Sequence, residues 1–131
     1  MRHPLDQLRA HRYARLTTFR ASGEEVHTPV WFVMRDNAVY VETGDQTGKA
    51  KRVRRDPRVI IAPCTPWGSP RGPGIPATAK DLGSAPPARI RAALLRRYGP
   101  LQWFRDVLLR RRHVTPTFLE ITAEPHGLDR S

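Results

Sequence analysis

Residues Thr43–Cys64 read TGDQTGKAKRVRRDPRVIIAPC. From Thr47 to Arg55 there is no proline and helix-compatible residues dominate, so this stretch predicts a short helix. Ala50 and Val53, three apart, form its narrow apolar face. Lys49 and Arg52 flank that face on one side and Arg54 on the other, while Lys51 and Arg55 point outward. Asp56-Pro57 ends the helix, because a residue before proline disfavours the α region. RVIIAPC then reads as a short, nearly continuous apolar strand that is buried.

Within the stretch, Lys49, Lys51, Arg52, Arg54, Arg55 and Arg58 face a single acid, Asp56. Such a cluster repels itself unless water, counterions or an anionic partner screens it. Three roles stand open: a solvated basic face, contact with nucleic acid, or a phosphate held by backbone N–H groups and Lys49 at the start of the helix. Gly44 and Gly48 favour the phosphate, since glycine lets backbone approach an oxygen closely. The aromatic residues that would stack bases are few and lie elsewhere, so nucleic acid is not an expected partner.

Upstream the chain reads as β. YARLTTFR (Tyr13–Arg20) is rich in aromatic and β-branched residues, ASGEE supplies a turn, and VHTPVWFVM (Val26–Met34) resumes the pattern. Pro29 places that second run at an edge, a bulge or a strand start. RDN turns into AVYVET (Ala38–Thr43), which implies an antiparallel meander. Downstream, the proline- and glycine-rich TPWGSPRGPGIP (Thr65–Pro76) has the composition of a mobile loop. ATAK suggests another strand. APPARIRAALLRRYG reads as a helix with Ile90, Leu94 and Tyr98 on one face, and PLQWFRDVLLRRR as a second one using Leu101, Phe104 and Leu108. PTFLEIT returns to β. The order β-β-β-α-β-β-α-α-β fits an antiparallel sheet or barrel with peripheral helices rather than a doubly wound sheet.

The 131 residues suit one domain over 1–131 with a substantial core, and the net charge of +11 biases it toward anionic partners. Cys64 is the sole cysteine, which excludes an intramolecular disulfide and reads as a small buried hydrophobe. The N-terminal residues lack the apolar core of a secretory signal and no run approaches a membrane span, so a soluble cytoplasmic protein is expected. The arginine-interleaved helix pair also allows peripheral membrane contact. No phosphate-binding loop, zinc motif or nucleophile elbow occurs, and the histidines and acids are dispersed. These residues suggest neither a metal site nor a dedicated protein catalyst, so any demanding chemistry falls to a bound cofactor.

LTTFR (Leu16–Arg20), TPVWF (Thr28–Phe32) and TGKAKRVRRDPRVIIAPC (Thr47–Cys64), with a strand between the last two, together resemble the pyridoxamine-phosphate-oxidase-like split β-barrel proteins. More narrowly they resemble the F420-dependent (deazaflavin) oxidoreductases common in actinobacteria. RGPGIPATAK and FLEIT extend the likeness, so matching segments run from about Leu8 to Thr122. The resemblance implies a mainly β (α+β) split barrel with peripheral helices. It also implies a homodimer with the cofactor at its interface, and hydride transfer between cofactor and a small organic substrate. On this likeness Thr28, Pro29, Val30 and Trp31 line the ring. Thr47, Gly48, Lys49, Lys51 and Arg52 meet the phosphate, with Gly44 in the preceding turn. Relatives often carry a serine where DQT stands here, and Thr47 would supply that hydroxyl. Six cations exceed the need of one compact phosphate, as in FMN, and suit the extended polyanion F420. An FMN enzyme on the same fold and a non-catalytic cofactor carrier are the alternatives.

Overall fold

The computed structural model describes residues 3–83, 87–93, 96 and 116–123. Seven strands form one antiparallel sheet: β1 (Tyr13–Phe19), β2 (Glu25–Trp31), β3 (Val33–Arg35), β4 (Ala38–Gly44), β5 (Arg58–Cys64), β6 (Ile75–Gly83) and β7 (Pro116–Ala123). A 3₁₀ turn (Pro4–Leu8) precedes them, and helix α1 (Gly48–Arg55) joins β4 to β5. Residues 88–93 are helical and precede β7. The rest of the first downstream helix and the whole of the second one read from the sequence lie outside the described residues.

The strand order is β2-β1-β5-β6-β7-β4-β3. Its two edges, β2 and β3, are separated in the chain by Phe32 alone. The run VHTPVWFVM is therefore one strand bent at Phe32, half pairing with β1 and half with β4. A sheet whose two edges belong to one continuous strand must curl back on itself. The result is the split β-barrel that the resemblance implies. The meander read from the sequence is present, β1 with β2 and β3 with β4, and long-range ladders are added to it: β1 also pairs with β5, and β4 with β7. Pro29 lies on an edge strand, where its missing N–H costs no ladder bond.

Alternation along the strands builds two apolar layers. Leu16, Val30, Phe32, Met34, Val39, Val41, Val59, Ile61, Leu119 and Ile121 fill the barrel, closed at its ends by Leu5 and Leu8 of the 3₁₀ turn and by Val53 of α1. On the outer face, Val33, Ala38, Tyr40 and Phe118 are covered by Ile90 and Ala93 of the helical segment. This explains why β4 is buried on both sides while β2 alternates. Asp36 and Asn37, at φ 54° and 63°, make the two-residue turn between β3 and β4, a conformation that suits the twist of paired strands.

The helix read from the sequence forms as expected. Thr47 is its N-cap, with Oγ1 accepting from the Ala50 N–H at 3.3 Å, and Asp56 closes it. Ala50 and Val53 are its buried residues. Cys64 is buried, and burial raises its thiol pKa while nearby Arg15 partly opposes that. It is the small hydrophobe expected, not an activated thiol.

Candidate functional site

A cavity of about 220 Å³ opens where the end of β2, the start of β1, the end of β4 and the first turn of α1 converge. Its lining comprises Tyr13, Pro29, Val30, Trp31, Glu42, Thr43, Lys49 and Pro66. Pro29 to Trp31 lie directly before the bend at Phe32. Tyr13 pairs across the ladder with Trp31, and the two rings meet edge to face at 6.5 Å between centroids. One wall is thus aromatic, its two rings inclined at 65° to each other, and Lys49 adds a cation to the lining.

Of the residues singled out in the sequence, Pro29, Val30, Trp31 and Lys49 come together in this cavity. Thr28 is half-buried in β2, opposite Leu16. Gly44 and Thr47 form the turn into α1: the Thr47 hydroxyl donates to the Gly44 carbonyl at 2.9 Å and lies 3.2 Å from the Thr43 hydroxyl. That hydroxyl is therefore engaged in capping. Lys51 is exposed, and Gly48 and Arg52 flank the first turn of the helix without lining the cavity.

Arg52 carries the main electrostatic feature. Its Nε donates to the Thr18 hydroxyl at 2.7 Å, which folds the guanidinium back along the helix. A Cβ on Gly48 would lie 2.6 Å from its Nη1, so any other residue there would make the guanidinium shift. Burial, then Arg20 and Arg55 nearby, lower the Arg52 pKa. The first turn of α1 holds no acid. A helix N-terminus carries partial positive charge and leaves N–H groups without intrahelical acceptors, so acids normally gather there. Here cations do, an arrangement that an anion relieves.

The remaining cations of the cluster are taken up by the protein. Arg54 Nε donates to Asp81 Oδ2 at 2.7 Å and its Nη1 to the Asp45 carbonyl at 2.7 Å. Arg55 donates to the Phe19 carbonyl, and Arg58 pairs with Asp56 at 2.9 Å. The six-cation surplus read from the sequence thus divides. Arg54, Arg55 and Arg58 hold the helix to the sheet and close its end, Arg52 is tied to Thr18 with its guanidinium beside Gly48, Lys49 lines the cavity and Lys51 is exposed.

Tyr13, Glu42, Thr43 and Pro66 line the cavity and were not anticipated. Glu42 and Thr43 immediately precede the glycine turn, which was the available signal. Tyr13 and Pro66 are distant in sequence, and only the β1–β2 register and the path after β5 bring them in. Among the described residues no group of three or more His, Cys, Asp or Glu side chains could hold a metal. His27 is engaged with the Thr17 hydroxyl at 2.7 Å and sits 3.5 Å from Glu25, away from the cavity lining. No described helix is long and apolar enough to cross a membrane.

No family model matches the chain, and no curated protein does. Solved structures do. A conserved hypothetical protein from Mycobacterium tuberculosis is 23% identical, with a TM-score of 0.63 over 91% of this chain and 77% of its own. The heme storage protein HutZ from Vibrio cholerae is 17% identical, with a TM-score of 0.69 over 95% and 92% of the two chains. An F420 reductase is 14% identical, with a TM-score of 0.63 over 95% and 96%. These likenesses show a shared split-barrel fold.

Proposed function

We propose that this protein binds F420 in the cavity between β2 and the start of α1, and uses it as an oxidoreductase on a small unsaturated or carbonyl-type organic substrate. The observation that carries the reading is the joining of an aromatic wall, Tyr13 and Trp31 with Pro29, to Lys49 and the first turn of α1 over which the Arg52 guanidinium lies. A planar ring joined to an anionic tail matches both halves. Lys49 and Lys51 are placed to attract the tail, and Arg52, held by Thr18, offers a pre-set donor at the helix start. Reduced F420, when bound, supplies a hydride to the substrate. The chain's own residues bind and orient, and a second copy completes the site as a homodimer. The resemblance to deazaflavin enzymes and the shared fold with an F420 reductase support this reading.

FMN on the same fold is the second reading: Arg54, Arg55 and Arg58 serve contacts within the chain, and Lys49 in the cavity lining beside the Arg52 guanidinium suits a compact phosphate as well as an extended tail. The fold shared with a heme storage protein raises another planar anion, but no histidine lines the cavity among the described residues. Fluorescence titration with F420 and with FMN, at two salt concentrations, decides between them. Lys49→Ala weakens cofactor binding at least tenfold, the loss of one charge-assisted contact. Arg91→Ala, whose guanidinium sits 5.7 Å from the Phe118 ring on another face, leaves binding unchanged. Equal, small effects from both substitutions would sink the proposal.

A further inference from the structure

The segment after β5 has the composition of a mobile loop, yet its first residues form a tight, bonded turn. The Thr65 N–H donates to the Ser69 carbonyl at 2.9 Å and the Gly68 N–H to the Thr65 carbonyl at 2.9 Å. The Thr65 hydroxyl accepts from the N–H groups of Trp67 and Ser69, at 3.3 and 3.1 Å. Cys64 and Pro70 bridge the base of the turn, and Gly68 adopts φ +94°, a conformation that favours glycine. At the tip stands Trp67, 89% exposed and, among the described residues, the one exposed large apolar side chain.

The turn stands beside the cavity. Pro66, immediately before the tryptophan, lines it. On the other side, a Cβ on Gly68 would lie 3.8 Å from the ring of Pro29, which also lines it. Trp67 thus follows a residue that lines the cavity and precedes one whose backbone lies close to Pro29, while its own ring stands in water. An indole left in solvent gains nothing for the fold, and a rigid turn presents it at little entropic cost on binding.

We infer that Trp67 is a ring-recognition residue: its indole stacks on the planar aromatic part of whatever ligand occupies the cavity, opposite the Tyr13–Trp31 wall. The inference rests on the proposed reading for the identity of the ligand, not for its planarity. Three residues then divide the work. Lys49 selects for negative charge, Trp31 forms the fixed wall, and Trp67 selects for a flat conjugated ring over a puckered one.

The test is equilibrium binding of F420, FMN and anilinonaphthalene sulfonate, the last an aromatic anion independent of the proposed cofactor. Wild type, Trp67→Ala, Trp67→Phe and Lys49→Ala are compared, with thermal midpoint and oligomeric state measured for each. Stacking on an aromatic side chain sets the scale of the effect. Trp67→Ala is expected to weaken each probe that binds the wild type by about tenfold, and Trp67→Phe by less. Thermal midpoint and oligomeric state stay at the wild-type values. If F420 and FMN fail to bind wild type but Trp67→Ala still loses the sulfonate probe, the cofactor reading fails and the role of Trp67 stands. Affinities within twofold of wild type for all probes would overturn the inference. So would a change of oligomeric state in Trp67→Ala, which would make the tryptophan a subunit contact, or a wild type that binds none of the three.

Discussion

Gly48→Ala separates the structural and electrostatic roles of the first turn of α1. The substituted residue lies at the first helical position, with no positive φ to forbid alanine. Alanine in a helix interior is favoured over glycine by about 1 kcal/mol, and roughly half of that applies at this end. Against it, the new methyl lies 2.6 Å from Nη1 and 3.3 Å from Cζ of Arg52. The guanidinium tip is free to swing, but Nε is tied to Thr18 at 2.7 Å, and Thr18 is 1% exposed. Moving the arginine gives up a part-buried hydrogen bond, worth about 1 kcal/mol after screening, and strands a buried hydroxyl for about 1 kcal/mol more. The net is a loss of about 1.5 kcal/mol, a fall in thermal midpoint of roughly 5 °C. F420 affinity falls about tenfold as the guanidinium leaves the helix start. Titration and thermal denaturation of Gly48→Ala, Arg52→Ala and the double variant give a cycle in which the double variant loses no more affinity than Arg52→Ala alone. Strictly additive losses, or wild-type binding by Gly48→Ala, would refute the idea that the glycine exists to seat the arginine.

Two further outcomes concern the frame that carries the site. Asp81 on β6 accepts from Arg54 at 2.7 Å, from the Gly83 N–H at 2.8 Å and from the Thr117 hydroxyl, and so anchors α1 to β6 and β7. Its burial would raise the carboxyl pKa, but the hydrogen bonds from Thr117, Gly83 and Arg54 outweigh that and lower it. A lowered folded-state value means stability that is present above the unfolded pKa near 3.8 and lost as pH falls through the folded value. Asp81→Asn therefore loses about 1–2 kcal/mol at neutral pH and flattens the acid limb of the stability profile, measured by urea denaturation across pH. An unchanged acid limb would show that the carboxylate is not titrating against the fold. Phe32→Ala at the bend, where the side chain is fully buried in the barrel, costs about 3–5 kcal/mol in the same assay. A loss under 1 kcal/mol would mean that the corner is held by the backbone alone.

Local chemistry was legible wherever its cause is local. Thr47 as cap, Ala50 and Val53 as the buried face and Asp56-Pro57 as the stop follow from residues within one or two helical turns of each other. Composition likewise located β1, β4, β5 and β7: aromatic and β-branched residues mark strands, and the nearly continuous apolar run of β5 matches its burial along most of its length. Pairing is not local, and there the reading stopped short. Nothing in VHTPVWFVM marks Phe32 as the corner, since each side of it is equally apolar. The loop Thr65–Pro70 reads as mobile by composition, but two bonds to the Thr65 hydroxyl and two between backbone groups order it.

For the site, the sequence alone determined the materials: a flat strand Pro29–Trp31, Lys49 at a helix start, and more positive charge than the fold needs. The tertiary structure decided their use. It brought Trp31 and Lys49 into the lining of one cavity, and it supplied Tyr13, Glu42, Thr43 and Pro66 from other elements. It also spent Arg54, Arg55 and Arg58 on contacts within the chain, leaving Arg52 over Gly48. The physical reason is that charge and propensity belong to a residue and its near neighbours. Which cation stays available for a ligand depends on the carbonyls and carboxylates that folding brings within hydrogen-bond reach.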